Sequence, residues 1–348
     1  MDNRLKKIFK ILGPDIHFKI YAVKNINKFH RQNIDPYFLY LPRLPVNKII
    51  PNSVLVYNNK ITIYADYDKK IGMNPENIKP LKDLPKNIPE ITEEIKNKIN
   101  HLRQIKSNWE IKQLQYSIHI TLKALDKMKN MIHTNKKITE NNLEGIFYDE
   151  LVNNNCSYAY PPIIASGKNA AFIHYELNNS PISKKDLVLM DCGAKNIYGY
   201  CADITQTILP KHPNKYQKIV YEIVEKAFKD CFIFLRKNIT LKELNDICIK
   251  SFLESLPKLK IKNKNNWNKF LDDPNNLFIL YPHFIGHSVG LDVHDPGLTI
   301  LKNNVVFTIE PGLYFPDNIE IIPDEYKKVG GVRIEHMILM KEKPIIMG

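Results

Sequence analysis

The sequence predicts an α+β protein, with a small N-terminal α/β domain followed by a larger domain of helices and antiparallel strands. Three observations carry this reading. Strand-like runs near the N-terminus give way to a proline-punctuated stretch. A helical run opened by a capping box begins at Ser107. Beyond it, two carboxylate-bearing strand regions, 186–209 and 305–339, each follow helical periodicity. The boundary is placed between residues 1–100 and 101–348.

Tyr37–Leu41 reads as a strand from its aromatic and aliphatic content. Val54–Tyr57 and Ile61–Tyr64 alternate around Asn58, Asn59 and Lys60, the pattern of a hairpin. Pro75, Pro80, Pro85 and Pro89 punctuate a stretch that neither a helix nor a central strand tolerates, so it reads as the linker. The charged run Glu90–Lys98 is expected to be a solvated helix. Ser107 and Glu110 then form a capping box, and Ile111, Leu114, Ile118, Leu122 and Leu125 follow at helical spacing. A second helix is expected from Thr139. Asp186–Cys192 and Tyr198–Leu209 read as two strands of one hairpin. Helical periodicity returns at Ile219, Val220, Ile223, Val224 and Ala227, and Thr240 with Glu243 caps the next helix. Lys258–Asn276 is polar and reads as an irregular surface insertion. Strands resume at Val305–Glu310 and Val332–Leu339. The order of helices, carboxylate hairpin, helices and carboxylate strands suggests two similar halves facing each other.

Apolar residues make up 44% and charged residues 25% of the 348, an ordinary balance for a globular chain with an ample core. The net charge is +13. Its lysines are spread along the chain without an arginine-rich or aromatic-interleaved motif, so no nucleic-acid partner is expected. The five cysteines are odd in number and form no Cys-x-x-Cys pair, which argues against a disulfide framework or a zinc knuckle and for a reducing compartment. The first residues lack the apolar core of a signal peptide, and no run is apolar enough to span a membrane. A cytoplasmic location is therefore expected.

The densest chemistry lies in Tyr281–His294, which carries His283, His287 and His294. Asp191 and Asp203 precede it; Glu310 and Glu335 follow. If the two aspartates oppose each other across their hairpin, the turn centres near Ile197 and both point to one sheet face. Leu187, Leu189, Ile204 and Ile208 make that neighbourhood apolar, so two like charges there need a positive partner. Glu310 ends an apolar strand before Pro311 and Gly312. Arg333 and Glu335, two apart on a strand, share a face. His283 and His287 are four apart, but Gly286, Gly290 and their β-branched neighbours argue for extended chain. Taken singly, each group has an ordinary reading as a cap, a solvated charge or a local ion pair. Together, one imidazole and four carboxylates make an oxygen-rich donor set suited to Mn²⁺, Co²⁺, Fe²⁺ or Zn²⁺, with enough charge for two ions. Two such ions about 3.5–4 Å apart can hold a bridging hydroxide and polarise a carbonyl.

This ordered set resembles the pita-bread metallopeptidases. The matching segments are Asp191–Gly193, Ala202–Thr205, His283–His294, Thr308–Tyr314 and Val332–Glu335. Among these proteins the chain is most similar to aminopeptidase P, the Xaa-Pro aminopeptidases, with prolidase close behind. Leu102–Ile111 is similar to the segment that leads into that family's catalytic domain, and Ile173–Tyr175 to its substrate-side histidine. The resemblance implies a C-terminal pita-bread domain with Asp191, Asp203, His287, Glu310 and Glu335 as ligands to two divalent metals, Mn²⁺ foremost and Co²⁺ or Zn²⁺ as alternatives. It implies that Glu310 also transfers protons, and that His174 and His294 flank the scissile carbonyl and the leaving nitrogen. His283 and Tyr314 would line the substrate, with His283 on the product side and Arg333 behind the ligands. The implied activity is hydrolysis of the Xaa-Pro bond at peptide N-termini by a hydroxide held between the metals, on peptides with proline second, and it is compatible with a homo-oligomer. Alternatives are a prolidase, a methionine aminopeptidase, or a non-catalytic pita-bread protein that binds RNA or protein. The presence of all five ligand positions favours the enzyme. Three departures stand out. Asp191 and Asp203 are twelve apart, one more than usual; His336 stands where the family often has Asp; and the N-terminal domain is short and lacks Trp.

Overall fold

The computed structural model describes residues 3–23, 34–50, 52–58, 60–65, 78–134, 137–259, 264–297 and 299–348. Helix α1 (Asn3–Leu12) buries Ile8 and Leu12 beside a sheet of order β1-β2-β3-β4. Its strands are β1 (His17–Tyr21), β2 (Val54–Asn58), β3 (Ile61–Ala65) and β4 (Ile78–Pro80). The expected hairpin forms from β2 and β3, although Asn59 at its tip lies outside the described residues, as does Pro75. Pro80 ends the edge strand β4, where a missing N–H is tolerated.

Tyr37–Leu41 is not a strand. Pro36–Tyr40 forms the helix α2, because the Asp35 carboxylate accepts the N–H groups of Tyr37 and Phe38 and Pro36 stands at N1. The cap and the preset φ of proline outweigh the strand propensity of the aromatic residues.

Helix α3 (Glu93–Gln104) is capped by Thr92. Helix α4 (Asn108–Thr134) opens with the expected box: Ser107 N–H donates to Glu110 at 2.9 Å and Glu110 N–H to Ser107 Oγ at 3.4 Å. Arg43 reaches across from the N-terminal part, its guanidinium 4.3 Å from the Trp109 ring centre. Helix α5 (Glu140–Asn153) starts at a capping box on Thr139.

The centre of the molecule is the sheet β6-β7-β9, with β5 and β8 paired beside it. The strands are β5 (Ser157–Tyr158), β6 (Ile163–Ser166), β7 (Val188–Cys192), β8 (Ala194–Lys195) and β9 (Ile204–Ile208). The hairpin register differs from the expected one. Asp191 opposes Thr205 and Cys192 opposes Ile204, which centres the turn on Tyr198 rather than Ile197. Gly199, at φ +85°, and Asn196, whose Oδ1 accepts from Tyr198 and Tyr200 N–H, fix the turn there. The shift of one strand against the other is two residues, so Asp191 and Asp203 still share a face.

Helices α6 (Lys215–Ile233) and α7 (Leu241–Ser255) each begin with a capping box, on Asn214 and Thr240. The segment after them is not an irregular insertion. It contains α8 (Lys264–Asp272), where Trp267 and Phe270, three apart, turn inward, stack, and fix the helix through an indole N–H to Leu256 O bond of 3.2 Å. The two aromatics, with Leu271 partly buried beside them, seat the helix on the second core. After α9 (Leu277–Leu280), segment 283–294 runs as non-helical chain alongside β10 (Val306–Ile309): Thr308 N–H donates to His287 O and Glu310 N–H to Ile285 O.

The expected single strand over 332–339 is broken. After β11 (Gly312–Tyr314) and α10 (Asp324–Lys327), β12 (Gly331–Arg333) pairs with β11, whereas β13 (His336–Leu339) pairs with β10 and with β14 (Ile345–Ile346). The break faces Pro311, which has no N–H for the ladder and separates β10 from β11 in the same way. Alternation divides the apolar residues between two cores. Val188, Met190 and Met337 face α4 and α5, whereas Leu189, Phe307 and Ile338 face α6 and α7. Among the described residues no helix is long and apolar enough to cross a membrane.

Candidate metal centre

Between the two strand regions the carboxylates converge. Asp203, His287 and Glu335 each offer a ligand atom within 4.8 Å of the others. His287 Nε2 lies 3.3 Å from Asp203 Oδ2 and 3.5 Å from Glu310 Oε1. His287 Nδ1 stands 3.2 Å from the Ser288 carbonyl. A carbonyl only accepts, so Nδ1 holds the proton and Nε2 is turned to the carboxylates. Thr308 Oγ1 accepts His287 N–H at 3.0 Å and donates to Glu310 at 3.1 Å, tying ligand loop and strand together. Asp191 joins the group through Arg333 and through Tyr160, whose hydroxyl lies 2.6 Å from Asp191 and 2.5 Å from Asp203. That hydroxyl has one proton for two carboxylates.

The electrostatics show the imbalance. Burial pushes the Glu335 carboxyl well above the usual range, and Asp203, Glu310 and Asp191 push the same way. Burial raises Glu310 to about 7 against the attraction of His287. Burial also raises Asp191, although Arg333 opposes it. For His287, burial pulls downward, but the bond and charge of Asp203 and the charge of Glu310 prevail and lift it to about 9. Each of the shifts on Glu335, Glu310 and His287 favours added positive charge. Glu335 Oε2 takes a 2.7 Å bond from Thr205, while its Oε1 is buried with no hydrogen-bond partner. An orphaned carboxylate oxygen amid other oxygen donors and one imidazole fits a divalent cation.

The cluster forms the floor of a cavity of about 720 Å³. His174, His283 and His294 all line it, as do Arg333 and the five proposed ligands. The His294 ring lies tilted against that of His287, ring centres 4.1 Å apart, and burial lowers its pKa. His283 is lowered to about 4 by burial and by Arg333; its Nδ1 donates to Phe284 O and its Nε2 accepts from Tyr314 at 2.9 Å. Tyr314 is set back from the wall. It is buried and joins His283 to Arg333 Nη1, which donates to its hydroxyl at 2.8 Å. Sequence reasoning passed over Tyr160, Thr205 and Lys195. Tyr160 had one signal, the rigid Pro161-Pro162 pair behind it; the others are strand residues whose role depends on register.

A cluster of carboxylates and one imidazole lining a cavity of this size makes a candidate divalent-cation site. Residues 112–342 match metallopeptidase family M24, and the chain belongs to that family. It is 30% identical over 344 residues to intermediate cleaving peptidase 55 of Saccharomyces cerevisiae, covering 93% of this chain and 62% of that protein. It is 34% identical over 253 residues to the Xaa-Pro aminopeptidase of Haemophilus influenzae, covering 70% of this chain and 57% of the relative. This chain thus spans about three-fifths of the length of these relatives. Aminopeptidase PepP of Pseudomonas aeruginosa has the same fold, with a TM-score of 0.82 at 20% identity over 99% of this chain and 93% of that one. The fold is the pita-bread fold.

Proposed function

We propose that the protein is an aminopeptidase that removes the first residue from peptides with proline second. The observation that supports this most directly is the gathering of Asp203, His287 and Glu335, with Glu310 3.5 Å from His287 and one Glu335 oxygen unsatisfied, in a cavity lined by further imidazoles. Asp191, Asp203, His287, Glu310 and Glu335 would hold two divalent cations, Mn²⁺ foremost. When bound, such cations polarise a carbonyl and lower the pKa of water.

The chain's own residues supply the rest. Glu310, which accepts from Thr308 and lies 3.5 Å from His287 Nε2 at the cavity, is the candidate to take and return a proton. The Xaa-Pro bond is a tertiary amide without N–H, so its cleavage requires a proton delivered to the proline nitrogen. His174 and His294, on the cavity wall, are the candidates for that donor. His283 is committed to Phe284 and Tyr314 and serves as a wall for the proline ring. Arg333 pairs with Asp191 and fixes Tyr314, so it holds both the ligand and the wall in place.

The test compares Ala-Pro-Ala, Ala-Ala-Ala, N-acetyl-Ala-Pro-Ala and the dipeptide Ala-Pro with Mn²⁺ present. Cleavage of the first alone is expected. Equal cleavage of the first two would replace the reading by a general aminopeptidase, and activity restricted to Ala-Pro would replace it by a prolidase.

A further inference from the structure

Lys195 lines the cavity and is only 8% exposed, yet its ammonium has no hydrogen bond or ion pair among the described residues. Nor is its nitrogen among the polar atoms sealed in protein without a partner, so it opens on the cavity that it lines. Two acids near its hairpin partner Cys201 are already matched. Asp292 receives Arg103 at 2.7 Å, and Asp295 receives Arg103 at 2.6 Å and Lys106 at 2.8 Å. Two cations and two anions balance there, so neither of these acids is left to pair with Lys195. An ammonium that faces a cavity with none of its three donors taken up by the protein is available to an anionic group of a ligand.

The hairpin register locates this charge. Lys195 bridges to Cys201 across the hairpin. Along β9 and its approach, Cys201 comes first, then Asp203, then Thr205 and Thr207. The last two hold Arg333, and through it Tyr314 and His283. At ~3.3 Å per residue, Lys195 sits about 7 Å beyond the metal-ligand rung, on the side away from His283. In the proposed reading His283 borders the leaving proline, so the Lys195 end receives the side chain of the first residue. We infer that Lys195 is a specificity residue that selects substrates whose first residue carries a carboxylate. This rests on the Xaa-Pro reading for the orientation of the peptide.

The experiment uses full-length protein loaded with Mn²⁺ and the peptides Glu-Pro-Ala-amide, Gln-Pro-Ala-amide and Lys-Pro-Ala-amide. Glu and Gln differ only in charge. The expected result is kcat/KM about tenfold higher for Glu than for Gln, with Lys lowest. In Lys195→Met the Glu-to-Gln ratio should fall to about one, and in Lys195→Glu the order should invert in favour of the Lys peptide, with bound metal equal to wild type. Equal rates for Glu and Gln in the wild-type protein would overturn the inference without any variant. So would a preference for Gln-Pro-Ala acid over its amide, which would place the recognised anion at the far end of the peptide. If neither these peptides nor Ala-Pro-Ala turn over, the Xaa-Pro reading falls by itself. Calorimetric Kd values for the Glu and Gln peptides then decide the Lys195 inference on binding alone.

Discussion

Around Asp295, two carboxylates meet two cations. Arg103, Lys106 and Asp295 side chains are 2%, 1% and 1% exposed, at distances of 2.6 and 2.8 Å, and Arg103 also takes Asp292. Around Glu335, four carboxylates meet one guanidinium and one imidazole, and one buried oxygen is left without a donor. Segment 287–295 runs from one cluster to the other, so the two share a chain segment. They differ in balance. Removing charge from water is costly enough that a structural network satisfies itself. An imbalance left standing in the same interior marks the place where positive charge comes from outside the chain.

The strongest way to break the comparison is at the unbalanced cluster. Glu310→Gln keeps shape but removes a ligand charge and the proposed proton acceptor. Turnover of Ala-Pro-Ala is expected to fall by about 10³-fold. A loss under tenfold would remove Glu310 from that role.

The balanced cluster should fail differently. Arg103→Met leaves Asp295 with Lys106 alone and Asp292 without its cation, and is expected to cost about 3–5 kcal/mol in urea unfolding. Metal content per folded chain should stay at the wild-type level. If the variant instead loses metal while keeping its stability, the two clusters are one network and the contrast fails.

Acid separates them by sign. Glu310 is raised to about 7 and His287 to about 9. Between the ordinary carboxylate range and about pH 7 the folded metal-free chain binds more protons than the unfolded one, so its stability should rise as pH falls from 8 towards 5. With Mn²⁺ saturating, protons compete with the cation and the slope should reverse. Asp295 is the opposite case. Burial acts to raise it, but Lys106 and Arg103 hold it below 3.8. Its contribution is full above that value and is lost as pH falls through the depressed one. Urea midpoints of metal-free and loaded protein from pH 8 to 3 give both signs. Parallel curves would contradict the assignment.

What the sequence made legible follows the same division. Local signals read true: the boxes at Ser107 and Thr240, and the start expected at Thr139, begin helices, because a cap is satisfied within one turn. Asp35 and Pro36 were an equally local signal, hidden by the aromatic run behind them. The carboxylates that converge were nameable one by one, since apolar neighbours make a charge conspicuous. The exact hairpin register was not, because Gly199 and Asn196 set it through a positive φ and side-chain bonds that no alternation pattern carries. Tyr160 and the Arg103–Lys106–Asp295 network were invisible for a plainer reason. Their partners lie 31 to 192 positions away, so only the fold brings them together.

The smallest expected effect concerns His336, which directly follows the proposed ligand Glu335. Their faces differ. Asp203 N–H points to Met337 sulfur at 3.3 Å, on the carboxylate side, whereas the His336 ring lies 5.0 Å from the Phe228 ring of α6. His336 is therefore packed away from the cluster, and burial lowers its pKa. In His336→Asp the new carboxylate would replace a ring that packs on Phe228. Bound Mn²⁺ per chain and kcat/KM should stay within about threefold of wild type, while stability falls by about 1–2 kcal/mol for a charge brought against an apolar partner. A loss of metal greater than the loss of folded protein would mean that the break between β12 and β13 lets residue 336 reach the carboxylates. The boundary of the unbalanced cluster would then lie one residue further along the chain.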